Sequence, residues 1–178
     1  VAICTVGDSS EESFVKTFQS DFVCPVNAIC ASYAGGDIPS DSRFRAIEDR
    51  MDCGESMFVS IPAGNQVDSI STVYEMTSNS VNFPYISEQR SWLYSPLARK
   101  GEPTLAAGTG DVSGTMSYER TGLTFANKIQ NTVEIEMNAG NIFDFGVAGC
   151  STFDIRVDQG TWNVITYFSA APSCPEPL

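Results

Sequence analysis

Two glutamates, Glu134 and Glu136, sit two residues apart in TVEIEM, where Val133, Ile135 and Met137 alternate with them. In a strand that spacing sends both carboxylates from one face, and Asp144 and Asp154 are expected beside them on the runs that follow. A row of acids on an exposed sheet face is either a solvated surface or a glycosidase-like cleft, the latter needing two carboxyls about 5–10 Å apart. The rest of the chemistry is narrowed by an absence: the chain has no histidine. Ser-His-Asp and Cys-His nucleophiles fall away, as do histidine metal centres and the usual general base near neutral pH. The acids also offer oxygen ligands, but no stretch has the dense Asp/Asn spacing of a calcium loop. Gly108-Thr-Gly110-Asp-Val-Ser-Gly114 is spaced GxGxxxG, lacks a following helix, and reads as a turn rather than a dinucleotide loop. The sequence assigns no catalytic residue, no cofactor and no metal.

A second kind of chemistry lies in the aromatics. Tyr85, Trp92 and Tyr94 fall within residues 77–114, a stretch broken by Pro84, Pro96 and Pro103 and expected to form a long irregular connection. Loops held by a rigid β-scaffold commonly carry recognition. These three residues are therefore the candidate partner-binding groups, suited to stacking against a glycan or meeting a cell-surface receptor. The plainer alternative is that they cap the end of a sandwich.

The six cysteines are Cys4, Cys24, Cys30, Cys53, Cys150 and Cys174. Their even number in an acidic, Lys-poor chain favours disulfides and an oxidising compartment over free thiols. Cys150 and Cys174 flank the last strands and are expected to pair there, leaving the other four to staple the N-terminal segment. No CxxC occurs, so a structural zinc site has no support. Ten basic against 22 acidic side chains give a net charge of −12. Nucleic acid repels such a surface, because affinity there comes from Lys and Arg displacing counterions. No apolar run approaches the roughly 18 residues needed to insert across a bilayer as a helix. The opening VAICTVGD carries no charged leader, so a secreted form is expected to have lost its signal peptide already. There is no Asn-x-Ser/Thr acceptor.

The elements that position these groups are mostly strands. TVEIEM, NIFDFGV, STFDIRV and TWNVITYFSA are apolar-rich runs punctuated by Gly140, Gly149 and Gly160. The first and third alternate with period two, one face buried and one wet. Val164–Phe168 hardly alternates and is expected to be covered on both faces. MFVSIP is a short strand, VDSISTVYEM is tipped towards strand by its β-branched content, and TMSYERTGLTF is expected to turn at Thr121-Gly122. Two short helices are expected in the N-terminal part. One spans 9–19 behind Asp8 or Ser9, and one opens at Pro39-Ser40 and carries Phe44, Ile47 and Met51 on a single face. At 178 residues the chain is expected to form a single domain. It divides into a cysteine-rich, partly helical segment 1–55 and a mainly antiparallel β-sandwich 56–178, with a jelly roll as its candidate topology.

EIEM, NIFDFGVAG, STFDIRV and DQGTWNVITYFSAAP, with the proline-containing tail after them, resemble the closing strands of the jelly-roll capsid proteins of small icosahedral RNA viruses. The resemblance covers about the last quarter of the chain and implies a capsid or particle component. The chain departs from that family in lacking a basic N-terminal arm, in its six cysteines and in a short middle region. Those departures suit an outward-facing piece better than an RNA-lining shell, and no functional residue carries over. The expected function is a non-enzymatic structural and interaction protein on a virion surface or otherwise extracellular. Its expected partners are copies of itself or neighbouring particle subunits, with no contact to nucleic acid. A secreted carbohydrate-binding or adhesive module and a carboxylate-dependent glycosidase are the alternatives.

Overall fold

A computed structural model describes residues 2–3, 24–41, 53–79, 85–142 and 150–172, and structural statements below concern these. The chain is mainly β. Its strands are β1 (Ala2–Ile3), β2 (Ala28–Ser32), β3 (Ile38–Asp41), β4 (Glu55–Ser60), β5 (Asn65–Ser78), β6 (Gln89–Ser95), β7 (Lys100–Gly101), β8 (Ala106–Ala107), β9 (Gly114–Leu123), β10 (Thr132–Asn141), β11 (Cys150–Val157) and β12 (Asn163–Ala170). A 3-10 turn at Ile86–Glu88 leads into β6.

Two long strands organise the rest. β5 carries β9 on one edge, along Ile70–Ser78, and on its other edge β12 followed by β11. β10 carries β6 on one edge, and on the other β4 followed by β3. This makes two half-sheets, β1-β2-β12-β5-β9 and β4-β10-β6-β7, joined where β11 pairs with β3. The strand pairs are antiparallel except β3 with β10, which is parallel. One hydrophobic cluster lies between the halves. Ile70, Tyr74 and Met76 of β5, Val164 of β12 and Ile155 of β11 share it with Val133, Ile135 and Met137 of β10, Leu93 of β6 and Val59 of β4. Each aliphatic side chain so buried contributes about 1.5–3 kcal/mol relative to exposure.

On one side the halves are closed by backbone, through β11 and β3. On the other, β9 and β6 are strand neighbours of nothing in the opposite half. That side is held by side chains, described below.

Several expectations are corrected. Thr121-Gly122 is not a turn, because β9 runs through it. Arg120 stands opposite Thr72 and Leu123 opposite Ile70, so Thr121 and Gly122 together oppose Ser71 in a bulge. Gly122 holds φ at +67°, a conformation that suits glycine. Residues 77–114 are not one long connection, since β6 occupies Gln89–Ser95 in their midst. Ser40 does not cap a helix: it lies in β3, paired with Ser151 and Ala139. The remainder of that expected helix, and the whole of 9–19, lie outside the described residues, as do residues 143–147 of NIFDFGV and 148–149 after it. In Val164–Phe168 only Val164 and Thr166 are fully buried, on one face, while Ile165 and Tyr167 on the other face and Phe168 are half-buried.

Cys150 does not pair with Cys174. It bonds Cys53, with Cα atoms 5.4 Å apart, because β11 returns beside β3 and brings Cys150 to the start of β4. Cys24 bonds Cys30 across a six-residue separation. Cys4 and Cys174 lie outside the described residues.

Candidate functional site

The residues that the sequence offers to two rival chemistries meet on one surface. Glu134 and Glu136 leave the outer face of β10, as alternation requires while Val133, Ile135 and Met137 fill the core. Trp92 and Tyr94 leave the outer face of β6, since Leu93 between them is in the core. The register sets Tyr94 opposite Glu136 and Trp92 opposite Asn138. On the far side of β10, Ser56 stands opposite Glu136 and Phe58 opposite Glu134. The acids and two of the aromatics therefore share one sheet face, and Tyr85 does not join them because it precedes the 3-10 turn beyond the end of β6. The side chains of Asp144 and Asp154 lie outside the described residues.

The two glutamates, the Asn138 amide N–H and Trp92 are engaged within the fold, whereas Phe58 is half exposed. Glu134 Oε1 accepts from Ser56 Oγ at 2.8 Å. Glu136 is 7% exposed, and its Oε1 accepts from Asn138 Nδ2 at 3.0 Å. That bond fixes the Asn138 amide, since flipping it would set an oxygen against the carboxylate. Gly54 lies so close that a Cβ there would come within 2.8 Å of Asn138 Oδ1. Trp92 is 5% exposed, so its indole is not the solvent-facing platform expected of it. One reason is Gly101, where a Cβ would stand 2.0 Å from Trp92 Cζ2. The indole Nε1 donates to the carbonyl of Glu102 at 2.9 Å, and the ring packs on Tyr94 with centroids 5.3 Å apart. Arg90, next on the same face, donates to the carbonyls of Ser87 and Gln89.

Beneath this face lies a polar layer that the sequence did not reveal. The inward residues of β6 are Gln89, Ser91, Leu93 and Ser95, all fully buried and three of them polar. They face β5 and β9, where Tyr74 and Tyr118 stand opposite each other with rings stacked at 5.2 Å. The Tyr74 and Ser91 hydroxyls are hydrogen-bonded. Tyr118 donates to Gln89 Oε1 at 2.7 Å, and Gln89 Nε2 donates to Ser78 Oγ and the Met76 carbonyl. Arg120 of β9 reaches Glu102 of the opposite half at 2.6 Å, and Glu102 also accepts from the Leu93 amide at 2.7 Å. The guanidinium lies 5.3 Å from the Tyr74 ring centroid, an attractive arrangement with the π-face. This network ties β9 to β6 across the side that has no backbone pairing.

Burial governs its electrostatics. Desolvation raises the Glu102 carboxyl above its ordinary value, against the pull of Arg120. It pushes the Tyr74 phenol up to about 12 and raises Tyr118 as well, the latter helped by its neighbour Tyr74. Phenols held neutral in this way are hydrogen-bonding struts rather than nucleophiles. Among the described residues no group of three His, Cys, Asp or Glu side chains could hold a metal ion.

No family model matches the chain, and neither does any curated protein. Among solved structures, dimeric latent PorU from Porphyromonas gingivalis aligns with it at a TM-score of 0.40 and 10% identity. The alignment covers 81% of this chain and 13% of that one, and at that TM-score it carries no argument.

Proposed function

We propose that this chain is a non-enzymatic structural and interaction protein, a component of a capsid or similar particle displayed outside the reducing cytosol, with a jelly-roll-like sandwich as its body. One observation carries the reading: on the face where carboxylates and aromatics meet, the polar groups bond the protein's own strands. Ser56 engages Glu134, Asn138 engages Glu136, and the Trp92 N–H is taken by the Glu102 carbonyl. Hydrolysis needs carboxylates facing a shared space that admits a sugar and a water. Here Glu134 ties β10 to β4, and Glu136 is held by Asn138 of its own strand. Two disulfides among the described residues fit an oxidising environment, and no helix there is long and apolar enough to cross a membrane. The resemblance of the last strands to capsid proteins favours copies of this chain or neighbouring subunits as partners.

The test is the native mass in solution by light scattering, across a concentration series. A defined assembly larger than the 19.2 kDa chain is the expected result. A monomer that persists at the highest concentration overturns the reading.

A further inference from the structure

The free edges of the two half-sheets are not alike. Among the described residues β1 and β7 have two residues each, too short to template another strand, and β4 has six, paired with β10 alone. β9 has ten, and among the described residues it pairs only with β5. Proteins usually blunt such an edge with proline, lysine, inward charge or a mid-strand bulge. β9 has no proline or lysine; its inward charge, Arg120, is neutralised by Glu102, and its bulge falls after that residue, leaving Gly114–Arg120 regular. Resting on the proposal above, we infer that β9 is the surface through which one copy meets a second, by antiparallel pairing of β9 with β9 about a two-fold axis at Ser117.

Geometry limits the choice of register. In an antiparallel ladder, opposed residues are of one hydrogen-bonding kind and point to one face. Two identical strands satisfy this only when the axis passes through a residue. An axis at Glu119 would set that carboxylate against its own copy. An axis at Ser117 sets Ser117 against Ser117, Thr115 against Glu119 and Met116 against Tyr118, with no like charges opposed.

Charge explains why the contact falls here. Two chains of net charge −12 repel, so self-association needs a charge-poor strip. The exposed face of β9 supplies one in Thr115, Ser117 and Thr121, with Glu119 its only charge. The nearest acid behind it is Glu75, which accepts from Ser117 Oγ at 3.1 Å. In this register the two Glu75 residues stand three strand spacings apart, about 14 Å, beyond the Debye length of about 8 Å at physiological salt. The ladder would join the two β1-β2-β12-β5-β9 half-sheets edge to edge. An interface of this size is small and reversible on its own.

Cysteine scanning with a short thiol-to-thiol cross-linker tests this on the oxidised full chain, beside light scattering of the unaltered protein. Ser117→Cys is expected to give cross-linked dimer in several-fold excess over Thr115→Cys, since Ser117 alone meets itself. A mixture of Thr115→Cys with Glu119→Cys is expected to cross-link as the Ser117 variant does. Equal yields from Ser117→Cys and Thr115→Cys overturn the register. An unaltered protein that assembles while Ser117→Cys stays uncross-linked overturns the β9 interface and leaves the assembly reading standing. A persistent monomer with no cross-linking overturns both.

Discussion

At the scale of single residues, the Arg120–Glu102 pair and the two stacked tyrosines carry the sharpest consequences. Glu102 is 3% exposed, so removing its cation leaves a buried carboxylate held, among the described residues, by the Leu93 amide alone. Breaking a buried pair by deleting one partner costs about 3–5 kcal/mol. Arg120→Leu is expected to fall in that range by urea denaturation at neutral pH. Without Arg120 the Glu102 carboxyl rises further above its ordinary value, and stability is lost as pH climbs through that raised value. The deficit is therefore expected to shrink under acid, and a deficit that is flat with pH would disprove the assignment. Tyr74 titrates with the same sign at higher pH. The folded phenol keeps its proton up to about 12, whereas the unfolded chain releases it near 10.0. Stability is thus intact below pH 10 and falls between there and the folded value. Tyr74→Phe is expected to lessen that fall by up to about 1.4 kcal/mol per pH unit, and an unchanged alkaline slope would count against the burial argument.

Among the elements, bulges decide what the sequence discloses. In β10, Val133, Ile135 and Met137 alternate cleanly with Glu134 and Glu136, and both strand and face are legible. In β5 the apolar residues Val67 and Ile70 fall three apart, which suits a helix as well as a strand. A register shift against β12 explains them: Phe168 pairs with Val67 and Tyr167 with Ser69, so Asp68 is the extra residue and both apolar side chains face inward. β6 was illegible for a different reason. Its buried face is Gln89, Ser91, Leu93 and Ser95 while its outer face bears Trp92 and Tyr94, so hydrophobicity points the wrong way along the strand. No periodicity rule recovers a strand whose core side is a hydrogen-bond network. The bulge in β9 can be tested directly. Gly122→Val puts a β-branched side chain at φ +67° and is expected to cost about 1–2 kcal/mol, measured by thermal or urea unfolding. The same change at Gly36, where a Cβ meets nothing within 4 Å, is the control expected to cost less.

Over the whole molecule, long-range closure dominates. Cys53–Cys150 spans 97 residues and Cys24–Cys30 spans six. On the chain-entropy account the first contributes about 4–5 kcal/mol and the second about 2. Replacing Cys53 and Cys150 by alanine is expected to lower the unfolding midpoint more than replacing Cys24 and Cys30, with equal losses the contrary result. Even the partition into halves depends on distant pairing, which is why the sequence suggested a sandwich without disclosing how its sheets join. The join is β3, four residues flanked by β11 and β10 that follow it by about a hundred residues. β2 likewise finds its central neighbour only in β12, the last strand. A chain leaving the ribosome can therefore complete neither half until its C-terminal strands emerge, and loop closure makes such topologies slow to fold. During that interval β3 waits without either partner and β2 with β1 alone, open to any other extended chain nearby. The Cys24–Cys30 bond can form at once, whereas Cys53 must remain a free thiol until nearly a hundred further residues have been synthesised. Safe maturation thus depends on an oxidant that does not act too early.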